Sequence, residues 1–501
     1  MDSLWIALEQ ILHWQVILIV LVSAVYGLFM GAIPGLTATM AVALLVPLTF
    51  FLDDIPALAA IVTLEACAIF AGDIPSTLVR IPGTPSSAAY VDDAYALMRQ
   101  GRGSEVLTTA LFFSICGGLF GALVLMTSAP ALARIAFYFT SYEFFWLTLL
   151  GLSCGVFLSR GSVVKGALSL LIGLLLSTVG LSEVYGVPRF TLGQDELMSG
   201  INFIAAMIGL FGVSEVLRNL ANLREGIEKD PVAKAAVGMG ATFRNSFTRL
   251  SSRITAFLRS SSLGAVVGML PGAGADIAAW ISMGLSKRLS KRPEEYGKGS
   301  LDGIADATST NSAALAGAWI PALVFGIPGD SITAIVIGVL LMKNVTPGPQ
   351  IFADPEQSIL VHSIYVTFIV ANLILLPVGI VAVRSGAHLV RIPRRVLLPV
   401  ILLFCILGSY AINATYFDVW VMLIMGLLGF VLEKYEVPLG PLVLALILGG
   451  QLEHTFIQNL TKSNSFIDFF SRPAAAILGI ATLLLWLSPL LLRLRPKGKS
   501  D

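Results

Sequence analysis

Positive charge is missing from the first 79 residues of this 501-residue chain, whose first Lys or Arg is Arg80. A secretory signal peptide needs a basic start. This N-terminus carries Asp2 and Glu9 instead, so residues 1–14 are expected to stay as an uncleaved amphipathic segment. Charge is scarce throughout: Asp, Glu, Lys and Arg make up 13% of the chain, against about 25% in soluble domains. The net charge of +1 offers no basic surface for nucleic acid. Enzyme signals are lacking too. There is no H-E-x-x-H zinc pattern and no G-x-x-x-x-G-K-[ST] phosphate loop, so the chain is not expected to hydrolyse ATP by itself. His13, His362, His388 and His454 stand in separate regions, and no cofactor is expected. Cys67, Cys116, Cys154 and Cys405 fall in apolar segments without metal-ligand spacing and read as small core residues.

What the chain has in abundance is apolar length: 56% of its residues are hydrophobic and the mean hydropathy is +0.86. Runs of about 20 apolar residues are the template for a membrane span. Candidates lie near 56–72, 105–130, 142–158, 163–181, 200–217, 307–325, 358–383, 396–413, 418–432, 437–450 and 473–492. The fold class is therefore an all-α polytopic membrane protein.

One pattern occurs twice. Gly27-x3-Gly31-x2-Pro34-Gly35 is followed by Ile74-Pro75-x5-Ile81-Pro82-Gly83. Gly264-x3-Gly268-x2-Pro271-Gly272 is followed by Ile320-Pro321-x5-Ile327-Pro328-Gly329. Pro and Gly break helices, and within a bilayer broken backbone survives only where protein buries it or a polar cavity receives it. Interruptions at matching places in two halves are the best sequence pointer to a transporter's binding site.

Basic residues mark the cytoplasmic side. They gather at 99–102, 160–165, 218–259, 287–298, 384–395 and the tail, while acidic loops carry Asp53, Asp54, Glu183, Asp195, Glu196, Asp354, Glu356 and Glu453. The alternation predicts a periplasmic N-terminus and a cytoplasmic C-terminus. With 218–259 and 287–298 on one side, the apolar segment near 262–284 is expected to enter and return at Pro271-Gly272. The segment at Pro34-Gly35 would enter from the opposite face, giving two inverted repeats. A kinked but complete span is the other reading. The expected organisation is a first repeat at 15–217, a basic linker at 218–259, a second repeat at 260–450, and a terminal loop, span and tail at 451–501. The linker is read equally as a surface-lying helix or a solvated connection.

Small polar residues follow each break. Backbone N–H groups at Gly35, Thr37, Thr39, Gly83, Thr84, Ser86, Gly272, Gly274, Gly329 and Ser331 would sit at half-helix N-termini, where partial positive charge suits a carboxylate. Arg80 would meet an acidic substrate group, or pair with Glu65 or Asp73. Glu65, Asp276, Asn311 and Asp330 are the candidates for a coupling ion, sodium or a proton. Helix capping by the same Ser, Thr and Asp residues is the plainer alternative.

The segments GAIPGLTATMAVALLVPLTF, IPGTPSSAA, GMLPGAGADIAAWISMG and NSAALAGAWIPALVFGIPGDSITAIVIGVLLM resemble the large membrane subunit, TctA, of the tripartite tricarboxylate transporters over nearly the whole chain. That resemblance implies a cation-coupled secondary importer of organic carboxylates in the bacterial inner membrane. It also implies two partners: a small integral membrane subunit (TctB-like) and a periplasmic solute-binding protein (TctC-like). A membrane-embedded enzyme or a channel without a binding protein is the alternative.

Overall fold

The computed structural model describes residues 2–158, 162–182, 185–221, 239–390, 394–463 and 465–494. Arg160, Glu183, much of the basic linker (222–238) and the last basic residues of the tail lie outside them. Helices dominate, with one two-stranded hairpin pairing Gly180 with Arg189 and Leu181 with Pro188.

The first half runs α1 (Asp2–Leu12), α2 (Trp14–Ala32), α3 (Ala38–Thr49), α4 (Asp54–Ala71), α5 (Asp73–Val79), α6 (Val91–Arg99), α7 (Gly103–Ala136), α8 (Ser141–Leu158) and α9 (Val163–Ser177). After the hairpin come α10 (Phe203–Met207) and α11 (Ser214–Ala221), joined by one π-helical turn. The second half runs α12 (Met239–Ser252), α13 (Ile254–Gly268), α14 (Gly274–Leu289), α15 (Leu301–Phe325), α16 (Ser331–Met342) and α17 (Pro355–Leu389). It ends with α18 (Arg394–Asn413), α19 (Tyr416–Lys434), α20 (Leu439–Lys462) and α21 (Pro473–Leu494). Among the described residues, 8 helices are long and apolar enough to cross a membrane, and the protein is a multi-pass membrane protein. Trp14–Ala32 is one of them, at 19 residues. The sequence pattern marks no separate span there and makes this stretch one arm of a broken segment. In the second half the corresponding arms, α13 and α14, have 15 and 16 residues, short of the ~20 that a span needs.

The sequence repeat is a repeat of contacts. Gly27 and Gly31 of α2 lie against the backbone of Leu64 and Ala68 in α4, and Gly264 and Gly268 of α13 lie against Thr310 and Ala314 in α15. No side chain fits at these crossings, which is the small-residue packing that brings membrane helices together. The turns match as well. Leu36 N–H donates to Ile33 O at 3.2 Å as Ala273 N–H does to Leu270 O at 3.1 Å. Ile81 N–H donates to Pro75 O at 3.4 Å as Ile327 N–H does to Pro321 O at 3.2 Å. The two units share one apolar core with α10, α18, α19 and α20.

Polar contacts tie several loops together. Asp93, just before the basic turn at 99–102, accepts the N–H groups of Gly297, Gly299 and Ser300 at 2.8 Å each. Lys165 pairs with Glu436 at 3.1 Å and Arg218 with Glu433 at 3.8 Å, so the basic ends of α9 and α11 share the α19–α20 turn. Elsewhere, Arg189 grips Glu453 through two bonds of 2.6 and 3.0 Å, and Lys343 lies 4.0 Å from Asp54.

Candidate functional site

The helix breaks form capping structures before they form anything else. Thr37 starts α3 by accepting from Met40 N at 3.1 Å. Asp330 starts α16 with a capping box: its Oδ1 accepts from Thr333 N at 2.8 Å, and Asp330 N–H donates to Thr333 Oγ1 at 2.9 Å. Thr84 and Ser87 repeat those bonds in the first half. Ser87 N–H donates to Thr84 Oγ1 and Thr84 N–H to Ser87 Oγ, both at 3.2 Å. The capping alternative is thus part of the structure, and the capped turns also carry the cavity.

A cavity of about 670 Å³ lies where the two repeats meet. Thr37, Thr39 and Thr84 line it from the first repeat, and Gly272, Gly274, Asp276, Asp330 and Ser331 from the second. The N-termini of α3, α14 and α16 converge on it, each worth up to about half a positive charge. Five carboxylates, Glu215, Asp276, Asp330, Glu433 and Glu436, also line it, with Arg218 as the Lys or Arg present among the lining residues. A smaller cavity of about 210 Å³ sits at the hairpin side around Arg189 and Glu453 and contains none of the predicted residues.

The remaining candidates lie behind the wall or away from it. Gly35 is in the left-handed region (φ 89) and packs on Asn219, whose Nδ2 donates to Gly35 O at 3.0 Å. Gly83 and Gly329 are close-approach positions: a Cβ would stand 2.5 Å from Gly72 Cα in one and 2.6 Å from Gly268 O in the other. Protein, rather than open cavity, faces these three. Ser86 accepts from Asn311 Nδ2 at 3.0 Å, and both are buried. Glu65 is 0% exposed and accepts from Trp319 Nε1 at 3.1 Å. Arg80 is placed with neither Glu65 nor Asp73. It ends α5 at φ 55, exposed, and reaches Asp92 Oδ1 with Nε at 3.0 Å and Nη2 at 2.7 Å. Asp73 is instead taken by Tyr90 Oη at 2.5 Å.

Sequence reading missed Arg218, Glu215 and Glu433. Arg218 sits at the end of α11, paired with Glu215 and 3.8 Å from Glu433. Its position at the edge of an apolar run marked it as a loop charge, and only the packing of α11 on α19 brings it to the cavity. One serine-hydrolase spacing also escaped notice, Gly151-x-Ser153-x-Gly155. It lies within α8, where Ser153 Oγ donates to Leu149 O at 2.6 Å, and not on the strand-to-helix turn that exposes a nucleophile.

Helical spans, paired helix breaks and a polar cavity shared by two repeats define a membrane transporter rather than a soluble binding module. The chain belongs to the family described as the tripartite tricarboxylate transporter TctA family, whose pattern matches residues 17–444. It is a transporter membrane subunit, and the family is not one of enzymes. A protein of Agrobacterium vitis described as an uncharacterized 52.8 kDa protein in the TAR-I ttuC' 3' region is 34% identical over 472 residues, covering 93% of this chain and 92% of its own length. A second from the same organism, described as an uncharacterized protein in the TAR-II ttuC' 3' region, is 33% identical over 219 residues, 43% of this chain and 90% of its own. No solved structure matches.

Proposed function

We propose that the chain is the permease of a binding-protein-dependent secondary transporter that imports an organic di- or tricarboxylate with a cation across the bacterial inner membrane. The observation that carries this reading is the cavity, where three half-helix N-termini from both repeats face the same space as five carboxylates. The N-termini suit an anion. The carboxylates repel one, so a substrate anion is accommodated only together with cations. Thr37, Thr39, Thr84, Gly272, Gly274 and Ser331 are the substrate contacts, and Asp276 and Asp330 the groups that hold cationic charge beside them.

The guanidinium that meets a substrate carboxylate is Arg218 rather than Arg80, since Arg218 lines the cavity. Substrate and Glu215 then compete for it. The two repeats are inverted, with the N-terminus periplasmic and the loops bearing Lys165, Arg218 and Arg249 cytoplasmic. The cavity, which reaches Glu433 and Glu436 on that side, is open inward. A small membrane subunit and a periplasmic solute-binding protein complete the system.

The test is uptake of radiolabelled citrate, malate, succinate and tartrate by cells carrying the chain with both partner genes. Accumulation that disappears when the chain or the binding protein is deleted is expected. Uptake that survives loss of the chain would overturn the reading.

A further inference from the structure

Glu65 is a buried carboxyl group with one oxygen bonded and one left over. It lies in mid-α4, 0% exposed. Trp319 donates to its Oε2 at 3.1 Å, while Oε1 has no hydrogen-bond partner among the described residues. Among the described residues no Lys or Arg pairs with it. An ionised carboxylate in a protein interior with no cation paired to it is costly, and such a group takes up a proton instead.

The repeat supplies the comparison. In the register of the Ile-Pro pairs, Glu65 corresponds to Asn311 and Asp330 to Thr84. Asn311 Nδ2 donates to Ser86 Oγ, which lies 3.0 Å from Thr84 Oγ1. Asn311 is thus tied to the Ile-Pro-Gly loop of the other half, whereas Glu65 is tied to Trp319 of α15. One version is neutral, Asn311 with Ser86 and Thr84. The other is an acid, Glu65 with Trp319. A packing contact needs only the neutral version, and the acid version adds a titratable proton.

The helices around Glu65 bring no competing ion. On α2 and α3 the titratable group is Tyr26, bonded to Ala41 O, and α16 has none. On α4 itself Cys67 is a free thiol and Asp54, in the first turn, lies 4.0 Å from Lys343; Asp73 of α5 is bonded to Tyr90. Glu105 of α7 pairs with Arg102, and Arg134 lies in the last turn of that helix. Asp302 and Asp306 of α15 pair with Arg249, Arg253 and Arg259. On α1 the acids are Asp2 and Glu9; on α17 Glu356 and His362 lie in the first turns with the buried Tyr365 beside them, and Arg384 and His388 lie in the last.

Resting on the cation-coupled reading above, we propose that Glu65 is the residue that carries the coupling ion and that this ion is a proton. Proton binding forms the Oε1–H bond with a proton from the outer solution. Release breaks it, and the proton leaves to the inner solution through the cavity, which Ile69 lines one turn further along α4. A metal ion fits the place less well: hard cations take several oxygen ligands, the Trp319 N–H points its positive end at the carboxyl, and no metal-like group of acids, His or Cys gathers among the described residues.

The test uses the chain with its partner subunits in proteoliposomes and the same four labelled acids. An outside-acid pH gradient drives accumulation in the wild type. Glu65→Gln, which mimics the permanently protonated side chain, keeps exchange of internal for external acid and loses pH-driven accumulation; Glu65→Asp keeps both. A second readout needs no substrate. The infrared carbonyl band of a protonated carboxylic acid is present in wild type and in Glu356→Gln, and lost in Glu65→Gln. Retained pH-driven accumulation in Glu65→Gln, or a band unchanged by it, overturns the proposal. Wild-type accumulation driven by sodium alone overturns the proton while leaving the permease reading standing. Absence of uptake by the wild type with its partners would sink that reading instead, and the infrared band would still decide Glu65.

Discussion

Gly272 gives the most sharply defined perturbation. Its φ of 78 is one that a Cβ-bearing residue adopts at a cost of about 1–2 kcal/mol. An added Cβ would stand 2.6 Å from Gly155 Cα in α8. Forcing extra volume into packed structure costs a further ~1–3 kcal/mol. The turn at Pro271-Gly272 would therefore be displaced by about 2–5 kcal/mol of strain, enough to make the native turn a minor conformer at about 1.4 kcal/mol per tenfold. The displacement would break the Gly272 N–H bond to Gly329 O, 2.9 Å, which ties one break to the other at the cavity. Gly284 is the control: it lies in the adjoining helix, and an added Cβ there meets nothing within 4 Å. Gly272→Ala should sharply reduce uptake per correctly inserted molecule, while Gly284→Ala leaves uptake intact or raises thermal stability slightly. Insertion is checked by protease accessibility and folding by a thermal melt in detergent. Wild-type uptake by Gly272→Ala would refute the reasoning, because the turn would then tolerate the displacement that the geometry demands.

The capping role and the charge of Asp330 separate by substitution. Asp330→Asn keeps the acceptor for Thr333 and should change the cation dependence of uptake, whereas Asp330→Ala should also destabilise α16 by about 1 kcal/mol in a melt. Arg218→Gln should weaken apparent affinity for a carboxylate, read as a raised KM, while Arg80→Gln leaves KM unchanged; the reverse would return the substrate to the exposed Arg80–Asp92 pair. Asp306, 2% exposed and held by Arg253, Arg259 and Ser286, anchors the linker end to α15. Asp306→Asn should cost about 1.5–3 kcal/mol of stability, the range for losing hydrogen bonds to a charged group, since Arg253 and Arg259 stay partly exposed to water. Single cysteines at the exposed Ser251 and Lys291, in a background without native cysteines, should both label from the cytoplasm; labelling from opposite faces would make α13–α14 a complete span. The buried Ser261 and Ser286 are unsuited to that experiment.

The repeat was legible because it is written in Gly and Pro, the residues that local backbone geometry selects most strictly. Its spacing predicted where helices break, and the contacts of Gly27 with Leu64 and Gly264 with Thr310 follow from the same small residues. The cavity-lining polar residues at Thr37, Thr84, Asp276, Asp330 and Ser331 were readable for the same reason, since they follow the breaks in sequence. Arg80 shows where sequence proximity misleads. It lies between two break motifs, yet the end of α5 turns it outward to Asp92. Arg218 shows the converse: its neighbours in space, Glu433 and the α19–α20 turn, are more than two hundred residues away in the chain, and no local pattern records that contact. The Gly83 and Gly329 positions looked ligand-facing because their loops are polar, but both glycines are there to let backbone approach backbone.

The most direct measurement is substrate protection of single cysteines placed on the two repeats at once, Thr39→Cys in the first and Ser331→Cys in the second. The chain is assembled with its partners, and the rate of labelling by a small thiol reagent is followed with and without the acid that the system accumulates. A cavity shared by both repeats predicts that this acid slows labelling at both positions, while an acid that is not transported slows neither. Normal uptake with unprotected labelling at both positions would contradict the central claim and place the carboxylate elsewhere.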